Sequence, residues 1–151
     1  MEYEKLLIES DQEGLIVKDK PLLSANGRIH KNRIALRSGL STIEKTCTLA
    51  EELGHHYTTV GSILDQSDIA NRKQELHARV WGYNKLIGLT GIIECHRAGC
   101  LNLYEMAAHL DVTEEYLSDA IKCYKGKYGL YKHVDNYLVF FEPLGVLELY
   151  K

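Results

Sequence analysis

Ser41-Thr42-Ile43-Glu44-Lys45-Thr46-Cys47-Thr48-Leu49-Ala50-Glu51-Glu52-Leu53-Gly54-His55-His56 is the stretch on which the fold turns. Ser41 and Glu44 have the S-x-x-E spacing of a capping box, in which each side chain takes up an otherwise orphaned backbone N–H. Ile43, Cys47, Ala50 and Gly54 then follow at helical spacing, with Leu49 and Leu53 beside them. The pattern predicts a helix from about Thr42 to about Thr58. A stripe of small and apolar residues marks that helix as buried.

The same helix carries chemistry. Glu51 and His55 stand at i and i+4, so they project from one face, one turn apart. Two side chains so placed can share a metal ion, as in the H-E-x-x-H helix. In that motif the residue after the first ligand is a glutamate that reaches the water to be activated. Here that position is Glu52. Glu51-Glu52-Leu53-Gly54-His55 is thus the peptidase motif with glutamate for the first histidine, and a carboxylate is a legitimate zinc ligand. His56 offers a second register with Glu52, which would leave no glutamate in the base position. Read more plainly, paired glutamates are solvated helix charge and His55-His56 is a polar helix end favoured by the dipole.

Downstream, Ile69 to Ile87 reads as a second helix after a loop over residues 61–68. Glu75 lies on it, with Ala78 and Gly82 on the same side at +3 and +7. Small residues there let two helix backbones approach closely, bringing Glu75 toward Glu51 and His55. Three protein ligands with one open position is the catalytic pattern for zinc. The plainer reading of Glu75 is a surface pair with Arg79.

Upstream, Tyr3 to Glu13 reads as a short helix stopped at Gly14, and Leu15-Ile16-Val17 as a brief strand. Ser24-Ala25-Asn26-Gly27 is a turn leading to two strands, Arg28 to His30 and Arg33 to Leu36, joined by Lys31-Asn32. Beyond the second helix, Ile92 to Ala98, Leu103 to Leu110 and Thr113 to Tyr124 read as helices. The last two form a helix-turn-helix pattern with Val112 in the turn and Thr113 as N-cap. Leu130-Tyr131 and Tyr137 to Phe141 flank the turn Val134-Asp135-Asn136 as a β hairpin. Lys122, Lys125, Lys127, Lys132 and His133 give this end a basic character suited to phosphate. Glu114, Glu115 and Asp119, however, stand where a recognition helix wants basic or amide side chains. No DNA-contacting residue is assigned.

The 151 residues suffice for one ordinary domain or a domain with an appendage. A net charge of −3 gives no overall electrostatic footprint for nucleic acid, although a local basic face is compatible with it. The charged N-terminus lacks the apolar core of a signal peptide, and no apolar run matches a bilayer. Cys47, Cys95, Cys100 and Cys123 fit neither a zinc ribbon nor a C-x-x-C pair. Reduced thiols in a cytoplasmic protein are the simpler expectation.

Thr48-Leu49-Ala50-Glu51-Glu52-Leu53-Gly54-His55-His56, followed by Asn71-Arg72-Lys73-Gln74-Glu75-Leu76-His77-Ala78-Arg79-Val80-Trp81, resembles the ImmA/IrrE family of metallo-endopeptidases. The likeness is closest to short members carried by phages and integrated elements. It covers most of the chain, as far as Tyr104 to Leu110. The resemblance implies a gluzincin-like site on two helices beside a small sheet, binding Zn2+ or another divalent ion. It implies cleavage of a regulatory protein, the helix-turn-helix repressor of a phage or other mobile element. Carried over by position, Glu52 matches the catalytic glutamate, His55 the second histidine ligand and Glu75 the downstream glutamate ligand. Glu51 falls where most of the family has histidine.

The sequence therefore predicts an α+β fold. A small antiparallel sheet packs on a helical zincin-like body (residues 1–98), followed by a helix-turn-helix-like element with terminal strands (residues 99–151). The expected activity is metal-assisted peptide hydrolysis with Glu52 as base and Glu51, His55 and Glu75 as ligands. His56, Tyr57 and His77 are auxiliary donor candidates. The alternatives are an inactive homologue that binds a repressor as an antirepressor, and a DNA-binding regulator working through the C-terminal element.

Overall fold

The computed structural model describes residues 2–58 and 68–150, with the backbone alone at 68–70. The expected loop over 61–68 thus lies, apart from Asp68, outside the described residues. The architecture is α+β, as the sequence implies. The chain divides into two compact units, Met1–Gly82 and Tyr83–Lys151.

The first unit opens with α1 (Glu2–Gln12), which ends where Gly14 takes a φ of +74°. Strands β1 (Ile16–Lys20), β2 (Gly27–His30) and β3 (Arg33–Arg37) form one sheet in the order β1-β3-β2. β2 and β3 are antiparallel and turn through Lys31-Asn32, with Lys31 at φ 53°. β1 adds to the other edge of β3 in parallel, Val17 opposite Ile34. Successive strand residues face opposite ways. Ile34 and Leu36 therefore face inward together and are almost fully buried.

Helix α2 (Thr42–Thr58) has the predicted bounds. Its capping box is formed: Ser41 N–H donates to Glu44 Oε1 at 3.0 Å, and Glu44 N–H donates to Ser41 Oγ at 3.1 Å. The Ser41 backbone N–H, and after it the Ser41 side chain, hold the Glu44 carboxyl below its ordinary pKa. Ser41→Ala is expected to cost about 1 kcal/mol in urea unfolding. A loss below about 0.3 kcal/mol would show that the cap contributes little here. Leu49, Ala50 and Leu53 are fully buried, as the stripe predicts. Thr46 and Thr48 are buried too, their hydroxyls donating to the carbonyls of Thr42 and Glu44. Helix α3 spans Asp68–Leu86.

In the second unit, α4 runs over Gly88–Arg97 and so starts before the expected Ile92. Gly88, at φ 64°, marks the break between α3 and α4, whereas Gly91 does not interrupt α4. Gly91 is buried, and a Cβ there would meet Leu110 Cδ2 in ordinary contact at 3.4 Å. α5 (Leu103–Leu110) and α6 (Glu114–Tyr128) form the helix-turn-helix-like pair. Asp111 makes the turn at φ 59°, Val112 is buried beneath it, and Thr113 caps α6. α6 continues past the expected Tyr124 until Gly129 stops it. β4 (Tyr131–Val134) and β5 (Tyr137–Phe141) make the expected hairpin. A further strand, β6 (Leu144–Glu148), completes a three-stranded antiparallel sheet that the sequence reading did not include. Pro143 and Gly145 punctuate that segment and hide its strand pattern. No helix among the described residues is long and apolar enough to cross a membrane.

Candidate metal centre

Helix α2 presents Glu51 and His55 from one face, and α3 brings Glu75 opposite them. One ligand atom from each of the three lies within 4.8 Å of the other two. His55 Nε2 is 3.4 Å from Glu75 Oε1. This is the arrangement that the motif spacing predicts, and these three side chains can hold a metal ion.

The approach of the helices rests on glycine. A Cβ built on Gly54 would lie 2.9 Å from the carbonyl carbon of Ala78 and 3.1 Å from its Cα. Real side chains do not come so close to backbone, so only glycine lets α3 sit here. Ala78 is completely buried at the contact. Small residues on both helices thus set the separation across which Glu75 reaches His55.

Glu52 turns away from the ligand row toward the sheet. It is only 8% exposed. Gly27, at the start of β2, lies against it: a Cβ there would meet Glu52 Oε1 at 3.0 Å and Thr48 Cγ2 at 2.6 Å. Burial, then the charges of Glu51 and Glu75, push the Glu52 carboxyl up to about 7. A carboxyl poised there exchanges protons at neutral pH. The ligand group itself offers two carboxylates and one imidazole, a donor set that a divalent cation neutralises.

An open cleft of about 540 Å³ borders the ligands. Ile29 and Lys31 form one side, His55 and His56 the floor of α2, and Asn71, Gln74 and Glu75 the α3 side. His56 borders this cleft but points its Nε2 at Glu13, 3.4 Å away. The ligand group that forms therefore uses Glu51 with His55 rather than Glu52 with His56. Tyr57 donates to Glu9 Oε2 at 3.3 Å and stacks on Trp81, ring centroids 4.9 Å apart. Burial and the carboxylates of Glu9 and Glu13 push its phenol up to about 12, so it stays protonated. His77 is exposed on α3 and is not part of the ligand group.

Two further features were not read from the sequence. Arg79 pairs across the helices with Glu51, Nε to Oε1 3.5 Å, and not along α3 with Glu75. Gly27 read only as part of a turn, yet it makes room for Glu52. Comparison of the chain with protein-family models, curated proteins and solved structures returned no match.

Proposed function

We propose that this protein is a zinc-dependent endopeptidase whose substrate is a regulatory protein in the cytoplasm, the helix-turn-helix repressor of a phage or other mobile element. The observation that carries the reading is the convergence of Glu51, His55 and Glu75, with Glu52 buried one residue along the same helix. Two donors bound at about 2.1 Å on a tetrahedral zinc stand roughly 3.4 Å apart. The His55–Glu75 separation of 3.4 Å matches that span. The resemblance to the ImmA/IrrE family supports the choice of substrate class.

Zinc, when bound, supplies Lewis acidity toward a water and the scissile carbonyl. The chain supplies the rest. His55 and the carboxylates of Glu51 and Glu75 hold the ion between α2 and α3. Glu52 accepts a proton from the attacking water at its carboxylate and returns it to the leaving amine. The cleft between the β2–β3 turn and α3 holds the extended substrate.

Co-expression with the repressor of the same element tests this reading. A discrete cut is expected with the parent chain and none with His55→Ala. Glu52→Gln should keep its zinc and lose about 10²- to 10⁴-fold in cleavage rate. Unchanged cleavage would remove the base assignment. Equal zinc content in Glu51→Ala, His55→Ala, Glu75→Ala and the parent would remove the site.

One observation favours a second reading. Arg79 already neutralises Glu51. If that pair persists in solution, the chain binds a repressor without cutting it. In that case Arg79→Ala raises zinc affinity, and the parent captures the repressor intact.

A further inference from the structure

The β1-β3-β2 sheet has a second face, opposite the buried Ile34 and Leu36. Alternation and register place Ile16, Lys18 and Lys20 of β1, Arg33, Ala35 and Arg37 of β3, and Arg28 and His30 of β2 on it together. Every one of these except Ala35 is exposed. No acid points the same way. The sheet's one acid, Asp19, alternates to the other side and is bound by Lys45 at 2.8 Å. Arg37 is near enough to Glu44 for its charge to act on that carboxylate. Among the described residues, Lys18, Lys20, Arg28 and Arg33 form no ion pair.

The asymmetry is large for an acidic chain. Residues 15–37 hold six Lys and Arg and one acid, whereas the rest holds twelve bases against twenty acids. Like charges packed on adjacent strands repel one another and destabilise a sheet. Here they also surround a concavity of about 310 Å³ floored by Ile16 and Ala35. Strand spacing of about 4.8 Å, and a rise of about 6.7 Å for each of the two steps from the Arg33 row to the Lys20 row, set the four cations in a patch roughly 10 by 13 Å.

We propose that this face binds the phosphate backbone of duplex nucleic acid, independently of sequence. A cluster of cations on an open sheet face matches the phosphate charge found at every sequence. The face has no Asn or Gln to read base edges, and no Phe, Tyr or Trp to stack on bases. It also lacks the Trp and Tyr anchors of a protein interface. The surface lies on the opposite side of the sheet from α2 and does not depend on the metal centre.

Anisotropy of a labelled 20-base-pair duplex of arbitrary sequence, titrated with the full chain at several salt concentrations, tests the proposal. Micromolar binding at low salt is expected, with log K falling against log[salt] at a slope of about −3 to −4 for four phosphate contacts. The double variants Lys18→Gln/Lys20→Gln and Arg28→Gln/Arg33→Gln, all exposed positions, should each weaken binding at least tenfold. Each should also cut the slope by about 2. Circular dichroism checks that they fold. Lys125→Gln/Lys127→Gln/Lys132→Gln and His55→Ala should bind as the parent does. Absence of salt-dependent binding, or sheet variants that bind like the parent, overturns the proposal. So does tighter binding to phosphatidylserine vesicles or polyglutamate than to the duplex at equal charge.

Discussion

Gly54→Val is expected to destabilise the first unit and abolish metal binding together. Any Cβ at position 54 would lie 2.9 Å from the Ala78 carbonyl carbon. That neighbour is backbone, so no rotamer change relieves it; α3 must move or α2 must bend. Overpacking of this kind costs about 1–3 kcal/mol. The functional loss exceeds the structural one, because a shift of about 1 Å removes Glu75 from a donor position whose tolerance is a few tenths of an ångström. Glu75→Ala provides the contrast. Glu75 is about half exposed, so its removal should cost metal affinity with little change in metal-free stability. Zinc titration and urea unfolding of metal-free protein, run on both variants, separate the effects. A Gly54→Val chain that binds zinc like the parent and unfolds within about 0.5 kcal/mol of it would show that the helices are not so closely apposed.

Why these helices were legible follows from their local signals. The capping box at Ser41 and Glu44, the stripe through Cys47, Ala50 and Gly54, and Thr113 before α6 are all encoded within a few residues, and each falls where it reads. The ligand group was legible for the same reason. The i,i+4 spacing places Glu51 with His55, and the small residues beside Glu75 indicate a close helix pair. What escaped depends on tertiary position. Arg79 reads as a partner of Glu75 at i,i+4, but the crossing of α2 and α3 puts Glu51 nearer its guanidinium. Gly27 carries an ordinary turn signal; only the packing of β2 on α2 turns it into the space that Glu52 occupies. The basic face escaped because net charge averages over the chain, whereas strand alternation and the β1–β3 register sort the cations to one side. β6 escaped because Pro143 and Gly145 interrupt its pattern.

Metal-free protein is expected to lose stability as pH rises through neutrality, and Glu52→Gln to remove most of that loss. The Glu52 carboxyl, raised by burial and then by Glu51 and Glu75, titrates near 7 in the fold against an ordinary value of 4.5. The folded state therefore holds the proton more tightly than the unfolded chain. Its contribution is fully present below about pH 4.5 and is lost as pH rises through 7. A shift of this size corresponds to about 3 kcal/mol between pH 4 and pH 8. Glutamine keeps the shape and has no charge to desolvate, so the variant should be the more stable protein at pH 8 and nearly equal to the parent at pH 4. Urea midpoints of both proteins with chelator present measure the difference; parallel pH curves would show that Glu52 is not held in a desolvated site. Zinc should reduce the effect. A cation at Glu51, His55 and Glu75 favours the ionised carboxylate beside it, so the parent's penalty at pH 8 shrinks when the metal is restored while the variant gains no such relief. The same burial that weakens the empty fold at neutral pH is what keeps Glu52 ready to take a proton once the charge of the site is balanced.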